Sequence, residues 1–328
     1  MCFAGISMSW QPTHALQPVI KRRCHRHIHR IRSDLLLLLT IIAVHQLDWR
    51  VHGLSAPKTS SSYFEGKRVL APETSSSQRL QVEKLVEQVF GNHEEDGVGN
   101  LESESTTWQD RKTQAIDVST SDGERLQLPQ HQTVYGELGT STLATILDAA
   151  GVYSDDVFLD IGSGDGVLVA SAALLYPDFL SLSRGVEILP SLYERSLEFQ
   201  QKWENMKSRG IIGTCSPTEL LLGDVYNPDE DLQEILAETT LSVCFATTWS
   251  FDTIKDSNSS SGGPNRKVLP QLSRSLASNM RKDARVIIID GHLETQDPLP
   301  VFRFEGELKI QCPDTAPYSM ARLYTKLK

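Results

Sequence analysis

The sequence predicts an α/β fold: a seven-stranded, mostly parallel sheet with helices on its faces and an antiparallel C-terminal hairpin. Three observations predict it. Beyond residue 130, apolar runs of strand length alternate with stretches of helical periodicity. The first run leads directly into a glycine-rich turn. The last two runs follow one another with no helix between them.

The chain opens with a basic leader, Lys21 to Arg32, followed by the apolar run Leu35 to Val44, which is too short for a comfortable bilayer span. It has the shape of a signal-peptide or signal-anchor core. With the Ser/Thr-rich stretch through Ser62, it points to a secretory-route organelle such as a plastid, or to membrane association through residues 35–44; the nucleus is the alternative. We assign residues 1–58 to this leader and 59–127 to a linker rich in Ser, Thr, Glu, Asp and Gly. One amphipathic helix interrupts the linker. Leu80, Leu85, Val86, Val89 and Phe90 recur at three- and four-residue steps before Gly91, which predicts a helix over 78–90.

The domain proper is expected over 128–328. Ser141 to Ala150 reads as a helix and Val157 to Ile161 as a buried strand. The helix Val167 to Tyr176, the short strand Ser183 to Glu187 and the helix Leu192 to Lys207 follow. Leu220–Leu222, Leu241–Ala246 and Val286–Asp290 are three further apolar runs of strand length. Val301–Cys312 and Ser319–Lys326 alternate over a longer span, so they pair with each other at the sheet edge.

Charge narrows the function. The chain carries a net charge of −10, but residues 1–58 hold eight Lys/Arg against two acids, which leaves 24 − 40 = −16 for residues 59–328. Such a domain lacks the clustered cations that nonspecific nucleic-acid binding needs, so a protein or small-molecule substrate is expected. The five cysteines form no C-x-x-C pair and no ligand spacing, so no metal site is expected.

The segment Phe158-Leu159-Asp160-Ile161-Gly162-Ser163-Gly164-Asp165-Gly166 is a strand running into a glycine-rich turn and then a helix. Glycines turn the backbone tightly and let a ligand approach the main chain, and Asp160 can hold an ammonium group. The spacing is G-x-G-x-G. A dinucleotide site uses G-x-G-x-x-G to bring a helix close to a pyrophosphate, so the spacing favours S-adenosylmethionine over a nicotinamide cofactor and an oxidoreductase. Glu187, closing Arg184-Gly185-Val186-Glu187, can accept from both ribose hydroxyls. Asp224, in Leu222-Gly223-Asp224-Val225, can accept from the adenine amino group; otherwise it caps the helix that follows. The fold is accordingly read as a Rossmann-like class I methyltransferase.

With these motifs in view, the sequence resembles the disruptor-of-telomeric-silencing (Dot-type) histone-lysine methyltransferases. Val134-Tyr135-Gly136-Glu137 is similar to that family's V-Y-G-E, Asp160-Ile161-Gly162-Ser163-Gly164 to its D-L-G-S-G, and Gly185-Val186-Glu187 is identical to its G-V-E. Glu198-Phe199 and Lys202-Trp203 track two further family positions, and the resemblance covers roughly 131–328. Two positions depart from it: Thr247-Thr248-Trp249 stands where the family has N-N-F, and Val167 where it has Gln. Neither the family's upstream substrate-gating loop nor its basic nucleosome-binding tail is found, and residues 257–267 insert a polar loop.

The resemblance implies an S-adenosylmethionine-dependent methyltransferase with a protein-lysine acceptor. It adds Tyr135 and Glu137 to the cofactor set of Asp160, Gly162, Ser163, Gly164, Gly166, Glu187, Asp224 and Val225. Trp249, Phe251, Tyr135 and Tyr318 are the expected aromatic residues of the acceptor channel; Thr247, Trp249 and Tyr318 are the expected catalytic residues, with Thr247 able to offer a hydroxyl to the cofactor. The acidic domain favours an acceptor outside chromatin. A nucleosomal histone, and a non-catalytic S-adenosylmethionine-binding scaffold, are the alternatives.

Overall fold

The computed structural model describes residues 68–91, 104–126, 136, 138–246, 249, 251–254, 266–294, 301–311 and 318–328. The apolar run at 35–44 lies outside them. Among the described residues no helix is long and apolar enough to cross a membrane.

The sheet grows from β1 (Asp156–Ile161), a strand with one partly exposed position among buried ones. To one side lie β2 (Leu180–Glu187) and β3 (Thr218–Leu222). To the other lie β4 (Leu241–Phe245) and β7 (Arg285–Ile289), all parallel to β1. β9 (Ser319–Lys326) pairs antiparallel with β7, and β8 (Phe302–Ile310) pairs antiparallel with β9, giving the order β3-β2-β1-β4-β7-β9-β8. The expected seven-stranded sheet with its reversed hairpin is therefore present. Chain direction switches sides between β1 and β4, which opens a crevice above their carboxyl ends, where open α/β sheets bind ligands.

Helices cover both faces because the central strands are apolar on both. Every residue of β7 is buried. On one face α4 (Val167–Leu175) is apolar all round and wholly buried, sandwiched between the sheet and α1 (Ser76–Phe90). α3 (Thr140–Ala150) completes that layer, and α5 (Pro190–Ser208) covers β2 and β3. On the other face α6 (Glu230–Glu238) and α7 (Pro270–Asn279) bury Leu232, Leu236, Leu272 and Leu276.

The structure extends the packed unit beyond the expected start at 128. α1 is the expected amphipathic helix, two residues longer at its start, and Ser75 caps it by accepting from Gln78 N at 3.2 Å. It buries Val82, Val86, Val89 and Phe90 in the main core, and Arg79 pairs with Asp148 at 2.6 Å. A second helix, α2 (Glu104–Arg125), lies where linker was expected. Among its described side chains, Ala115, Ser119 and Asp122 are buried. Ala115 packs with Leu189 and Leu192, and the Asp122 carboxylate accepts from Ser191 N at 2.6 Å and Ser191 Oγ at 2.8 Å, capping the positive end of α5. The chain around the polar insertion also forms a small hairpin, β5 (Asp252–Ile254) with β6 (Arg266–Val268), which the sequence did not signal.

Candidate functional site

The crevice is floored by the loop from β1 to α4. Gly162, Gly164 and Gly166 have φ of +79°, +54° and +89°, left-handed values that side chains rarely tolerate, which accounts for the G-x-G-x-G spacing. The loop hangs on β2. Gly162 N and Ser163 N both donate to Val186 O, at 2.8 and 3.0 Å. Gly185 belongs to the same fit, since a Cβ there would lie 2.7 Å from the side chains of Ser163 and Val169. Asp165, fully buried, anchors the loop's far end through a paired hydrogen bond with Arg195 of α5, at 3.0 and 3.1 Å.

Two carboxylates meet here. Asp160, at the end of β1, is 2% exposed and accepts no hydrogen bond from any described residue. Burial, and secondarily the charge of Glu187, push its carboxyl up to about 8. Glu187, at the end of β2, accepts from Gly164 N at 2.8 Å and Leu189 N at 2.9 Å. Burial raises its pKa, and those backbone bonds hold it down. Glu187 thus pins the glycine loop while each oxygen retains a second lone pair for a ligand. Asp160 has no such partner among the described residues.

Asp224 follows β3 on the same edge and accepts from Tyr226 N and Asn227 Nδ2, both at 2.8 Å, closing a turn. The helix cap is Asp229 rather than Asp224: its carboxylate accepts from Leu232 N at 2.9 Å. The Val225 side chain is buried in the core with Leu232 and Leu272, so only its backbone can face a ligand.

Across the crevice stands Trp249. A Cβ on Gly162 would come within 3.1 Å of its Cζ2, and its ring meets Tyr226 edge-on at 5.6 Å. The indole therefore bridges the loop after β1 and the loop after β3. Tyr226 is a site residue that sequence reasoning missed; its place two positions after Asp224 was the available signal. A Cβ on Gly136 would come within 2.8 Å of the Phe245 ring, so Gly136 lies against the end of β4. Tyr135, Glu137 and Thr247 themselves lie outside the described residues.

Tyr318 is not brought together with them. It precedes β9, three strands from β1 in the sheet order, is 48% exposed, and carries Lys309 Nζ at 3.7 Å over its ring. Phe251, also 48% exposed, lies closer to β4 and has Lys267 Nζ at 4.5 Å. Among the described residues no cluster of His, Cys, Asp and Glu could hold a metal.

Residues 125–257 match the family model described as Histone methylation protein DOT1. That stretch contains every expected cofactor residue, together with Thr247 and Trp249; Tyr318 falls beyond it. No curated protein matches the chain. Among solved structures it is similar to TrmN from Thermus thermophilus, at 13% identity over 60% of this chain and 52% of that one, with a TM-score of 0.37. It is also similar to the rRNA methyltransferase aviRa from Streptomyces viridochromogenes, at 14% identity over 58% and 85%, with a TM-score of 0.38. A SAM dependent methyltransferase from Aquifex aeolicus is matched at 11% identity over 56% and 89%, with a TM-score of 0.36. The chain thus spans about half the length of TrmN.

Proposed function

We infer that this chain, whose residues 125–257 match the DOT1 histone methylation family, is an S-adenosylmethionine-dependent methyltransferase acting on a protein lysine. The observation that carries the reading is Asp160: a buried carboxyl with no donor among the described residues, facing a cradle of left-handed glycines. A ligand bearing an ammonium group beside a bulky nucleoside fits that pair of features. A nicotinamide dinucleotide offers no ammonium to Asp160, and the loop supplies no helix start at the spacing a pyrophosphate requires.

Asp160 would hold the methionyl ammonium and Glu187 the ribose hydroxyls, with Asp224 at the adenine end. The bound cofactor supplies an electrophilic methyl on a sulfonium. The protein's part is then to align the acceptor and exclude water, which suits an apolar, aromatic-lined crevice better than a dedicated base. A lysine entering beside Trp249 and Phe251 loses solvation, which disfavours its ammonium and frees the lone pair. Aromatic faces orient what remains of the cation.

For the acceptor, the charge of −16 over residues 59–328 supports a protein outside chromatin. The family's description favours the second reading, a nucleosomal histone. Incubating the full chain with labelled cofactor, and with either nucleosomes or a nucleosome-free lysate, separates them. Labelled methyl-lysine in the lysate alone supports the first reading. Histone labelling that fades as salt rises would replace it with the second, and cofactor binding without transfer to either would leave a scaffold.

A further inference from the structure

Lys267 sits on β6, and contacts from several directions hold it at the carboxyl end of β4. Its backbone pairs with Thr253 of β5, and its carbonyl accepts from His292 N at 2.8 Å, tying β6 to the chain just beyond β7. The side chain turns inward. Nζ donates to Ala246 O at 3.1 Å and lies 4.5 Å from the centre of the Phe251 ring. Ala246 O also accepts from Trp249 N at 3.3 Å, so this carbonyl opens the Thr247-Thr248-Trp249 segment. Burial lowers the Lys267 pKa, against the opposing charge of Asp290. Lysine side chains ordinarily stay in water, and ordering one costs rotamer entropy. Here an ammonium is drawn off the surface onto a carbonyl and an aromatic face at the end of β4, an environment suited to an acceptor amine.

We propose that Lys267 is a built-in acceptor: the chain's own lysine occupies the amine position of the crevice and is methylated on Nζ. This rests on the methyltransferase reading above. Nζ first loses a proton to solvent. Its lone pair then forms the N–C bond to the sulfonium methyl as the C–S bond breaks, the bonding pair returning to sulfur to leave S-adenosylhomocysteine. The methylated amine keeps its contacts with Ala246 O and Phe251 and obstructs other acceptors, so the insertion doubles as a check on the enzyme.

The full-length protein is incubated with S-adenosylmethionine carrying a deuterated methyl group and mapped by mass. The label is expected on Lys267, at a fractional rate unchanged by dilution, and lost in Lys267→Arg. Label absent from Lys267, or spread equally over Lys282, Lys309 and Lys326 while calorimetry shows bound cofactor, overturns the proposal. A second arm needs no cofactor. Lys267→Ala leaves a vacancy the size of n-propylamine, which should bind the variant roughly tenfold more tightly than the parent, the scale of one cation–π contact with a hydrogen bond. Equal binding to both proteins overturns the amine position. If the cofactor never binds, the methyltransferase reading fails and self-methylation with it, while the propylamine arm still decides whether the slot accepts an amine.

Discussion

Replacing Asp160 by Asn is the sharpest perturbation of this site, because it removes a charge while keeping the shape. With the Asp160 carboxyl at about 8, roughly nine-tenths of free molecules hold that proton at pH 7, by the tenfold-per-unit relation. An incoming ammonium must expel it. Affinity should therefore climb by close to tenfold, or about 1.4 kcal/mol, from pH 6 to pH 7, and more slowly toward pH 8 as the carboxyl nears half-ionisation. It should fall again above, as the ligand's own α-amino group, near 8, loses its charge. Calorimetry in buffers of different ionisation enthalpy should register release of nearly one proton per cofactor at pH 6 to 7. Asp160→Asn should weaken binding by about 1.5 to 3 kcal/mol, the worth of a hydrogen bond to a charged group, and flatten the rising limb. Stability moves the other way. A carboxyl whose folded pKa lies above its unfolded value favours folding at low pH, and that contribution is lost as pH rises from about 4 to about 8. The ligand-free protein should lose up to about 5 kcal/mol across that window, and Asp160→Asn should not. Affinity that is flat from pH 6 to 8 with no proton released, or full affinity in the Asn variant, would refute the reasoning.

Other perturbations separate binding from folding. Gly162→Arg places a side chain at φ +79° against Trp249 and should abolish cofactor binding by calorimetry, with about 1 to 3 kcal/mol of added backbone strain. Glu187→Gln keeps an acceptor for only one of Gly164 N and Leu189 N and turns an NH2 toward the other, so it should weaken cofactor binding by about 1 to 3 kcal/mol and also lower the melting temperature. Glu187→Ala leaves Gly164 N and Leu189 N without their acceptor and should lower both. Phe90→Ala removes a buried ring that lies 5.0 Å from Phe199 and should cost about 3 to 5 kcal/mol in urea denaturation. An unchanged midpoint would mean that α1 is not part of the folded domain.

What could be read in the sequence was whatever local chemistry dictates. Three left-handed positions in one turn demand glycine, and strands buried on both faces demand the apolar runs at 157–161 and 285–289, so the β1 loop and the sheet followed from residue type alone. The reversed hairpin followed from two long alternating runs with no helix between them. What escaped depended on partners far along the chain. α2 docks through Asp122 onto Ser191, 69 residues away, and through Ala115 onto Leu189 and Leu192. Asp165 finds Arg195 at a separation of 30. Glu187 was read as a ribose acceptor, yet its first task is to hold Gly164 N, a bond that exists only once β1 and β2 lie side by side. Trp249 looked like a channel wall; its approach to Gly162 and Tyr226 makes it equally part of the loop's support.

Asp160 and Glu187 are proposed to bracket one cofactor above the glycine loop. A crystal structure of the chain with S-adenosylhomocysteine tests it most directly. The ligand's amino group is expected within hydrogen-bonding distance of Asp160, its ribose hydroxyls on Glu187 and its backbone contacts along Gly162 to Gly164. A ligand bound elsewhere, or bound in this crevice with both carboxylates facing only protein, would contradict it.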